Sequence, residues 1–153
     1  MKHPQVSKII EAPQRRVWAA LTDLHAMEAV LSNVTKREVL TEGPFRVGTT
    51  WRESRKMFGK EATETMQVTE VHEPVAFSVC ADNNGLRYRS TCELVARSSD
   101  STEVTMRFSV DPLASASRWQ RLLVVIWGPF GAKAAARQMR TDLDDIARHV
   151  QAG

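Results

Sequence analysis

The sequence predicts an α+β domain in which a curved antiparallel β-sheet of about seven strands wraps around one long C-terminal helix. Three observations predict it. Short segments that alternate apolar and polar residues fill the middle of the chain, and such alternation is typical of half-buried strands. The links between these segments are short, which favours antiparallel neighbours. A helical pattern precedes most of the strands, and a second one occupies residues 115–150.

The first elements are a strand over residues 6–10 and a helix over residues 13–23. The strand contains β-branched residues, and a proline is well tolerated in the first turn of a helix. Val17, Trp18 and Leu21 recur at helical spacing, so we expect one face of this helix to be buried. A short, weakly capped helix over residues 24–31 follows.

Six further strands are expected, over residues 34–40, 49–57, 61–72, 75–81, 86–96 and 102–110. Turn-forming residues separate them, at Gly43-Pro44, Phe58-Gly59, Glu73-Pro74, Asn83-Asn84-Gly85 and residues 98–101. The last two strands alternate most regularly, which predicts a sheet with one solvated and one covered face.

The final helix carries an apolar stripe from Trp119 to Val150. A helix of this length extends about 50 Å, which is too long for a link between strands in so small a domain. It must therefore lie along the concave face of the sheet. Gly128-Pro129 predicts a kink or a break near Trp127.

The composition indicates one globular domain over residues 1–153, with 42% apolar and 25% charged residues. The net charge of +3 comes without a dense basic run, so nucleic-acid binding is not expected. The longest apolar run, residues 122–127, is far shorter than the ~20 residues that span a bilayer. With no secretory segment expected, and with Cys80 and Cys92 expected to be reduced and buried, the predicted location is cytoplasmic.

Several local motifs accompany this order of elements: Ile10-Glu11-Ala12-Pro13 followed by Val17-Trp18, then Val47-Gly48-Thr49, Val68-Thr69-Glu70-Val71 and Glu73-Pro74. Together they resemble the START-like superfamily, also called SRPBCC or the polyketide cyclase/dehydrase and lipid transport proteins. The resemblance implies a helix-grip fold, with an apolar cavity between the sheet and the C-terminal helix. It also implies a hydrophobic small-molecule ligand, such as a lipid, a hormone or a polyketide, which some members cyclise or dehydrate.

The wall of that cavity is expected to come from strand residues that face the terminal helix. These are Trp51, Met66, Val68, Phe77, Val79, Tyr88, Ser90, Cys92, Met106 and Phe108. Trp119, Leu123, Ile126 and Trp127 are expected to close it from the helix. Ligand pockets are mostly apolar, with a few polar groups that orient the guest. The alternative is that these side chains simply fill the centre of the domain.

Three charged residues, Glu53, Arg55 and Glu64, share the alternation of this apolar face. In unbulged strands all three point inward, where an unpaired charge costs several kcal/mol. We therefore expect Arg55 to neutralise Glu53 or Glu64 at the mouth of the cavity, and we count Glu64 among the ligand-binding residues. A solvated position on the convex face stays open, because a single bulge reverses the facing.

Tyr88 is the only tyrosine and is a candidate ligand anchor or proton donor, with Ser90 beside it on the same face. With Glu53 and Arg55 it forms the candidate catalytic set; the alternative is a core residue with its hydroxyl at the edge. The four histidines are scattered without metal-ligand spacing, so no metal is expected, and no cofactor motif is present.

The terminal helix carries a basic stripe of Lys133, Arg137 and Arg140. We expect this stripe to be solvated, with Arg140 and Asp144 paired one helical turn apart. Residues 122–130 are apolar on all sides, so a second subunit or a lid formed by Gly43-Pro44-Phe45 is expected to cover them. A homodimer is therefore a possible assembly.

Three function classes stay open. The first is a carrier that binds a hydrophobic small molecule, lipid- or polyketide-like, without chemistry. The second is a cyclase, aromatase or dehydratase that acts on a polyketide-like substrate in the same cavity. The third is an interaction protein similar to the superfamily branches that act on a chaperone or on ribosomes. Binding is preferred, because the apolar strand faces are well supported and catalytic spacing is not.

Overall fold

The computed structural model describes residues 3–57, 60–83 and 85–152, and all their side chains except those of residues 57, 60 and 123–130. In chain order the elements are β1 Gln5–Ile10, α1 Gln14–Thr22, α2 Leu24–Val30, β2 Val34–Val39, β3 Thr50–Met57, β4 Lys60–His72, β5 Ala76–Asn83, β6 Leu86–Ser98, β7 Ser101–Pro112 and α3 Arg118–Ala152. Every predicted element is present, with its bounds shifted by at most three residues.

The seven strands form one curved antiparallel sheet in the order β1-β7-β6-β5-β4-β3-β2. Each strand from β2 to β6 pairs with the next one along the chain, as the short links predict. The first strand instead closes the far edge, where Val6 lies opposite Met106 of β7. The long α3 packs against β1 and β7, and α1 and α2 cover the same side of the sheet.

The register between β3 and β4 determines which residues reach the interior. It is continuous from Thr50 opposite Gln67 to Met57 opposite Lys60. Since this pairing contains no bulge, alternate residues of β3, beginning with Trp51, face the helices. A register shift lies instead in the pairing of β2 with β3, between Val34 and Lys36.

The start of α3 is defined by a capping box. The Ser117 hydroxyl accepts a hydrogen bond from the Gln120 backbone N–H at 3.1 Å, and the Gln120 side-chain oxygen accepts one from the Ser117 N–H at 2.8 Å. These bonds explain a start at Arg118 rather than at the predicted residue 115. The helix then runs to Ala152, so of the two outcomes predicted for Gly128-Pro129, a kink or a break, the break is wrong. A proline inside a long helix removes one backbone hydrogen bond and need not end it.

Two apolar clusters lie on the concave side. The larger joins β1, β6 and β7 to α1 and α3, and its fully buried members include Ile10, Val17, Leu94, Val104, Leu143 and Ile146. The smaller lies on β3, β4, β5 and the start of α2, and its buried members are Leu24, Trp51, Val68 and Val79. The two clusters share Val71 and Phe77 as partly buried neighbours.

Candidate functional site

A partly open cavity of about 140 Å³ lies between the sheet and the three helices. Nine residues that the sequence predicts for the site line it: Trp51, Glu53, Arg55, Met66, Phe77, Val79, Ser90, Cys92 and Met106. Their alternation along β3 to β7 brings them to one face, so the expectation of a hollow rather than a filled centre is met.

The helices contribute lining residues that the sequence analysis missed. They are Leu21, Leu24, Met27 and Leu31 around α1 and α2, and Met139, Asp142 and Ile146 on α3. A usable signal was present for Asp142, because it lies three residues after Met139 and four before Ile146, on their helical stripe. Arg37 of β2 also lines the cavity, and its position depends on the register of β2, which the sequence does not reveal.

Four of the lining residues form a buried charge network. Arg55 Nε donates to Glu53 Oε2 at 2.6 Å, and Arg55 Nη1 donates to the Asp142 carboxylate at 3.1 Å. Arg37 Nε donates to Glu53 Oε1 at 3.1 Å, and its Nη2 bonds the same oxygen. The predicted pairing of Arg55 with Glu53 is therefore correct, and the two arginines balance the two carboxylates.

Trp51 connects this network to the apolar part of the cavity. Its indole Nε1–H donates to Glu53 Oε1 at 3.3 Å. The Arg37 guanidinium carbon lies 5.4 Å from the centroid of the Trp51 ring, within cation–π range. The arginine, the carboxylate and the indole therefore hold one another in place.

The pKa values of the two buried carboxylates, Glu53 and Asp142, shift in opposite directions. Burial by itself would raise the pKa of Glu53, but Arg55 and Arg37 outweigh it and hold that pKa below its ordinary value. Burial also raises the pKa of Asp142, and there Arg55 offsets only part of the effect. The carboxylates of Glu53 and Asp145 add to the rise at Asp142. Glu53 is thus the more firmly ionised of the pair.

A family model described as polyketide cyclase/dehydrase and lipid transport matches residues 1–151. The chain belongs to this family. Solved structures of similar fold include a START superfamily protein and an aromatase/cyclase, so the helix-grip fold that the resemblance implies is confirmed. No curated protein matches the chain in sequence.

Three of those structures illustrate the range of the fold. A START superfamily protein from Mycobacterium smegmatis has a TM-score of 0.75 at 14% identity, with 98% of each chain covered. The Zhui aromatase/cyclase from Streptomyces sp. R1128 has a TM-score of 0.73 at 14% identity, covering 98% of this chain and 93% of that one. Norcoclaurine synthase from Thalictrum flavum, solved with dopamine and hydroxybenzaldehyde, has a TM-score of 0.73 at 16% identity, covering 98% and 86%. At such identities the likeness concerns the fold alone.

In this member of the family, methionines are concentrated at the cavity. Met27, Met66, Met106 and Met139 all line it, and they come from α2, β4, β7 and α3. They are all the methionines whose side chains the structure describes. Methionine is flexible and polarisable, so a wall of this composition adapts to the shape of a guest and favours contact with aromatic rings.

The cavity thiol belongs to Cys92. Burial raises the pKa of Cys92 to about 12, so its reactive thiolate is scarce at neutral pH. Cys80, the other free cysteine, is also buried, and neither lies in a metal-binding group. Among the described residues, no three His, Cys, Asp or Glu side chains are grouped so that they could hold a metal ion.

Five predicted site residues do not line the cavity: Glu64, Val68, Tyr88, Phe108 and Trp119. Val68 is buried in the smaller cluster, and Tyr88 stacks on Phe108 with ring centroids 6.1 Å apart. Glu64 accepts a hydrogen bond from Asn83 at 2.7 Å instead of pairing with Arg55. Burial, together with the charge of Glu64, raises the pKa of Tyr88.

The expectation that Trp119 closes the cavity is wrong, because 67% of this residue is exposed. Its neighbour Gln120 packs against Gly85 in the turn between β5 and β6, so the first turn of α3 lies at the rim of the sheet. The predicted lining by Leu123, Ile126 and Trp127 lies outside the described side chains.

Phe45 lies in the predicted lid loop and lines two hollows. One is the cavity, and the other is an outer hollow of about 420 Å³ between α1, this loop and the β4–β5 turn. The Phe45 ring meets Phe77 edge to face at 5.2 Å, and Phe77 meets Trp18 in the same way at 5.6 Å. The aromatic cluster of Trp18, Phe45 and Phe77 therefore stands between the cavity and the outer hollow.

The acidic residues after the basic stripe are placed differently from the prediction. Asp144 pairs with Lys8 at 2.9 Å, so the expected pair of Arg140 with Asp144 is not formed. Asp145 is buried and accepts hydrogen bonds from the N–H and the hydroxyl of Ser32, at 2.9 and 2.8 Å. Together these contacts attach α3 to β1 and to the end of α2. None of the described helices has the length and apolarity that a bilayer crossing requires.

Proposed function

We propose that the protein binds a compact hydrophobic small molecule in the cavity between the sheet and the helices. The observation that carries this proposal is a hollow that is apolar over most of its wall and ends in a neutral network of buried charges. Apolar walls supply affinity and a few fixed polar groups supply orientation. The family and the fold support binding of a hydrophobic ligand or a cyclase-type function.

The size of the cavity restricts the ligand. A dry protein cavity of about 150 Å³ is large enough for benzene, whereas pockets for larger ligands occupy about 300–1,000 Å³. At about 140 Å³ this cavity accommodates roughly one ring. A longer lipid-like or polyketide-like molecule fits only if Phe45 moves and part of the guest enters the outer hollow.

The charge network restricts the ligand further. Each buried carboxylate is already balanced by an arginine, so an ionised guest introduces a charge without a partner, at a cost of several kcal/mol. A neutral ligand with one carbonyl or hydroxyl group keeps the balance and adds a hydrogen bond. Phenol and its simple neutral derivatives have this chemistry.

Binding is favoured over acid–base catalysis for the same reason. A general base works best with a pKa near the working pH, whereas the arginines lower the pKa of Glu53. Tyr88, the other candidate proton donor, lies outside the lining of the cavity. A cyclase-type activity in this cavity would therefore depend on its shape, on hydrogen bonds from the arginines and on Asp142, the lining carboxyl whose pKa burial raises, rather than on Glu53 or Tyr88.

The test is a titration with phenol, followed by NMR of protein labelled with ¹³C at the methionine methyl groups. Binding inside the cavity moves the signals of Met27, Met66, Met106 and Met139, which single Met→Leu variants assign. Ser90→Phe places a ring in the cavity and is expected to abolish the shifts, while Val95→Phe, on the exposed side of the same strand, leaves them unchanged. Shifts that persist in a folded Ser90→Phe variant would contradict the proposal.

A further inference from the structure

The net positive charge of the chain comes from a single segment. Residues 112–141 contain five Lys and Arg residues and no Asp or Glu. Of the 21 Lys and Arg residues in the chain this leaves 16, against 18 Asp and Glu, so the net charge of +3 arises entirely from this segment. Most of it belongs to α3.

The same part of α3 exposes large apolar side chains. Trp119 is 67% exposed and Leu122 is 45% exposed, and Arg118 and Arg121 beside them are exposed as well. On a helix that turns about 100° per residue, positions 119, 122, 133, 137 and 140 fall within a sector of roughly 60°. All five of these residues are exposed. Tryptophan and lysine or arginine therefore lie along one outer face of the helix.

Hydrogen bonds fix the position of the first turn of α3. The Leu113 N–H donates to Gly85 O at 2.8 Å, and Arg121 Nη2 donates to Leu113 O at 3.1 Å. With the capping box at Ser117 these bonds hold the first turn of α3 against the turn between β5 and β6. Trp119 and Leu122 are thus presented on a fixed helix and not on a loose terminus.

We propose that the outer face of α3, defined by Trp119, Leu122, Lys133, Arg137 and Arg140, docks on an anionic lipid surface. An amphipathic helix with cations and a tryptophan on its exposed face lies in the plane of the bilayer interface, with its apolar groups at the headgroup boundary. The lipid headgroups supply the negative charge that the protein lacks along this face.

Charge complementarity selects this occupant over the two alternatives. A second copy of the chain in a symmetric contact would place the same arginines against one another, which is unfavourable. A nucleic acid would match the charge, but its phosphates offer nothing to bury Leu122. A bilayer interface accepts the cations, the indole and the aliphatic side chain together.

The experiment is co-sedimentation of the full chain with sucrose-loaded vesicles of phosphatidylcholine alone or of phosphatidylcholine mixed with phosphatidylglycerol. We expect binding to the mixed vesicles at low salt, weak binding to neutral vesicles, and loss of binding at high salt. Arg137→Gln and Arg140→Gln are each expected to weaken binding about fivefold. The double variant Trp119→Ser/Leu122→Ser is expected to weaken vesicle binding about tenfold or more.

The matched control is the double variant Val47→Ser/Val75→Ser. It removes two apolar side chains elsewhere on the surface, which are 59% and 51% exposed. This variant is expected to bind like the parent. The proposal is overturned if the mixed vesicles do not bind, or if the control variant loses as much binding as the α3 variants. It is also overturned if Trp119→Ser dissolves a dimer that forms without lipid, or if an oligonucleotide binds the same residues more tightly than the vesicles.

Discussion

In both halves of the concave face, strands are covered by helices, but the residues that fill the space between them differ. Against β1, β7 and β6, the helices α1 and α3 bury a continuous apolar cluster that includes Leu94 and Leu143, each 1% exposed. Against β3, β4 and β5 the apolar cluster is small, and beside it lie the charge network and the cavity, whose lining also includes Ser90, Cys92 and Met106 of β6 and β7. The first half stabilises the fold, and the second half, we propose, binds the ligand.

The comparison shows how a small domain accommodates a hollow. A void forfeits the dispersion contacts of its lining, and buried charges carry a desolvation cost. The buried charges lie on the β3 side, and the cavity extends from there to the inner face of β6 and β7, while the solid half, with its larger cluster, provides the compensating burial of apolar area. Comparing the effects of substitutions made in each half on stability and on ligand binding tests this division of roles.

The largest expected effect comes from breaking the charge network. Glu53→Gln removes the carboxylate that two buried arginines share, and we expect the free energy of unfolding to fall by about 3–5 kcal/mol. Denaturant unfolding monitored by circular dichroism measures it. The control is Glu38→Gln, which removes a surface pair with Arg52 in which both side chains are about half exposed, and which we expect to cost about 1 kcal/mol or less. Equal losses for the two variants would show that the network is not structurally important.

A smaller difference is expected between large-to-small substitutions in the two halves. Leu94→Ala creates a new void in the solid half and should cost about 2–5 kcal/mol. Met66→Ala should cost less, because this partly buried side chain already borders the cavity and its removal only enlarges it. The same denaturation experiment gives both values.

Ligand binding by the same two variants, Met66→Ala and Leu94→Ala, also distinguishes the two halves. In Met66→Ala the enlarged cavity is expected to bind 2-naphthol more tightly than the parent protein does, while Leu94→Ala shows no such gain. A greater loss of stability in Met66→Ala than in Leu94→Ala would contradict the assignment of the solid half.

Much of the solid half and of the strand wall could be predicted from the sequence. Alternation along β3 placed Trp51, Glu53 and Arg55 on one face, and the pairing of Arg55 with Glu53 followed from the cost of burying a lone charge. These are local arguments, since a strand without a bulge keeps the same facing along its length.

The rest of the site depends on contacts between distant elements. Arg37 meets Glu53 because β2 pairs with β3 in a register that includes a shift. Asp142 meets Arg55 because α3 crosses the sheet at that point. Trp119 was misplaced for the same reason: helical periodicity identifies an apolar stripe but does not show where the sheet beneath it ends.

The smallest expected effect concerns the pH dependence of the two carboxylates. Folding lowers the pKa of Glu53, so its contribution to stability is present above the pKa of the unfolded chain and is lost as the pH falls through the folded pKa. Folding raises the pKa of Asp142, so its contribution is present below the unfolded pKa and is lost as the pH rises through the folded pKa. The two slopes oppose one another in the acid range.

Replacing one carboxylate at a time should therefore separate the two contributions to the pH dependence of stability. Asp142→Asn eliminates the contribution that favours folding in acid, so its stability should fall more steeply than that of the parent as the pH decreases from neutral. Glu53→Gln eliminates the opposite contribution and should flatten the profile, although its stability at neutral pH is lower. Thermal unfolding at a series of pH values, with Glu38→Gln as the surface control, measures the three profiles. If Asp142→Asn flattened the profile as Glu53→Gln does, Asp142 would be an ordinary ion-pair partner of Arg55, and the contrast between the two carboxylates would be lost.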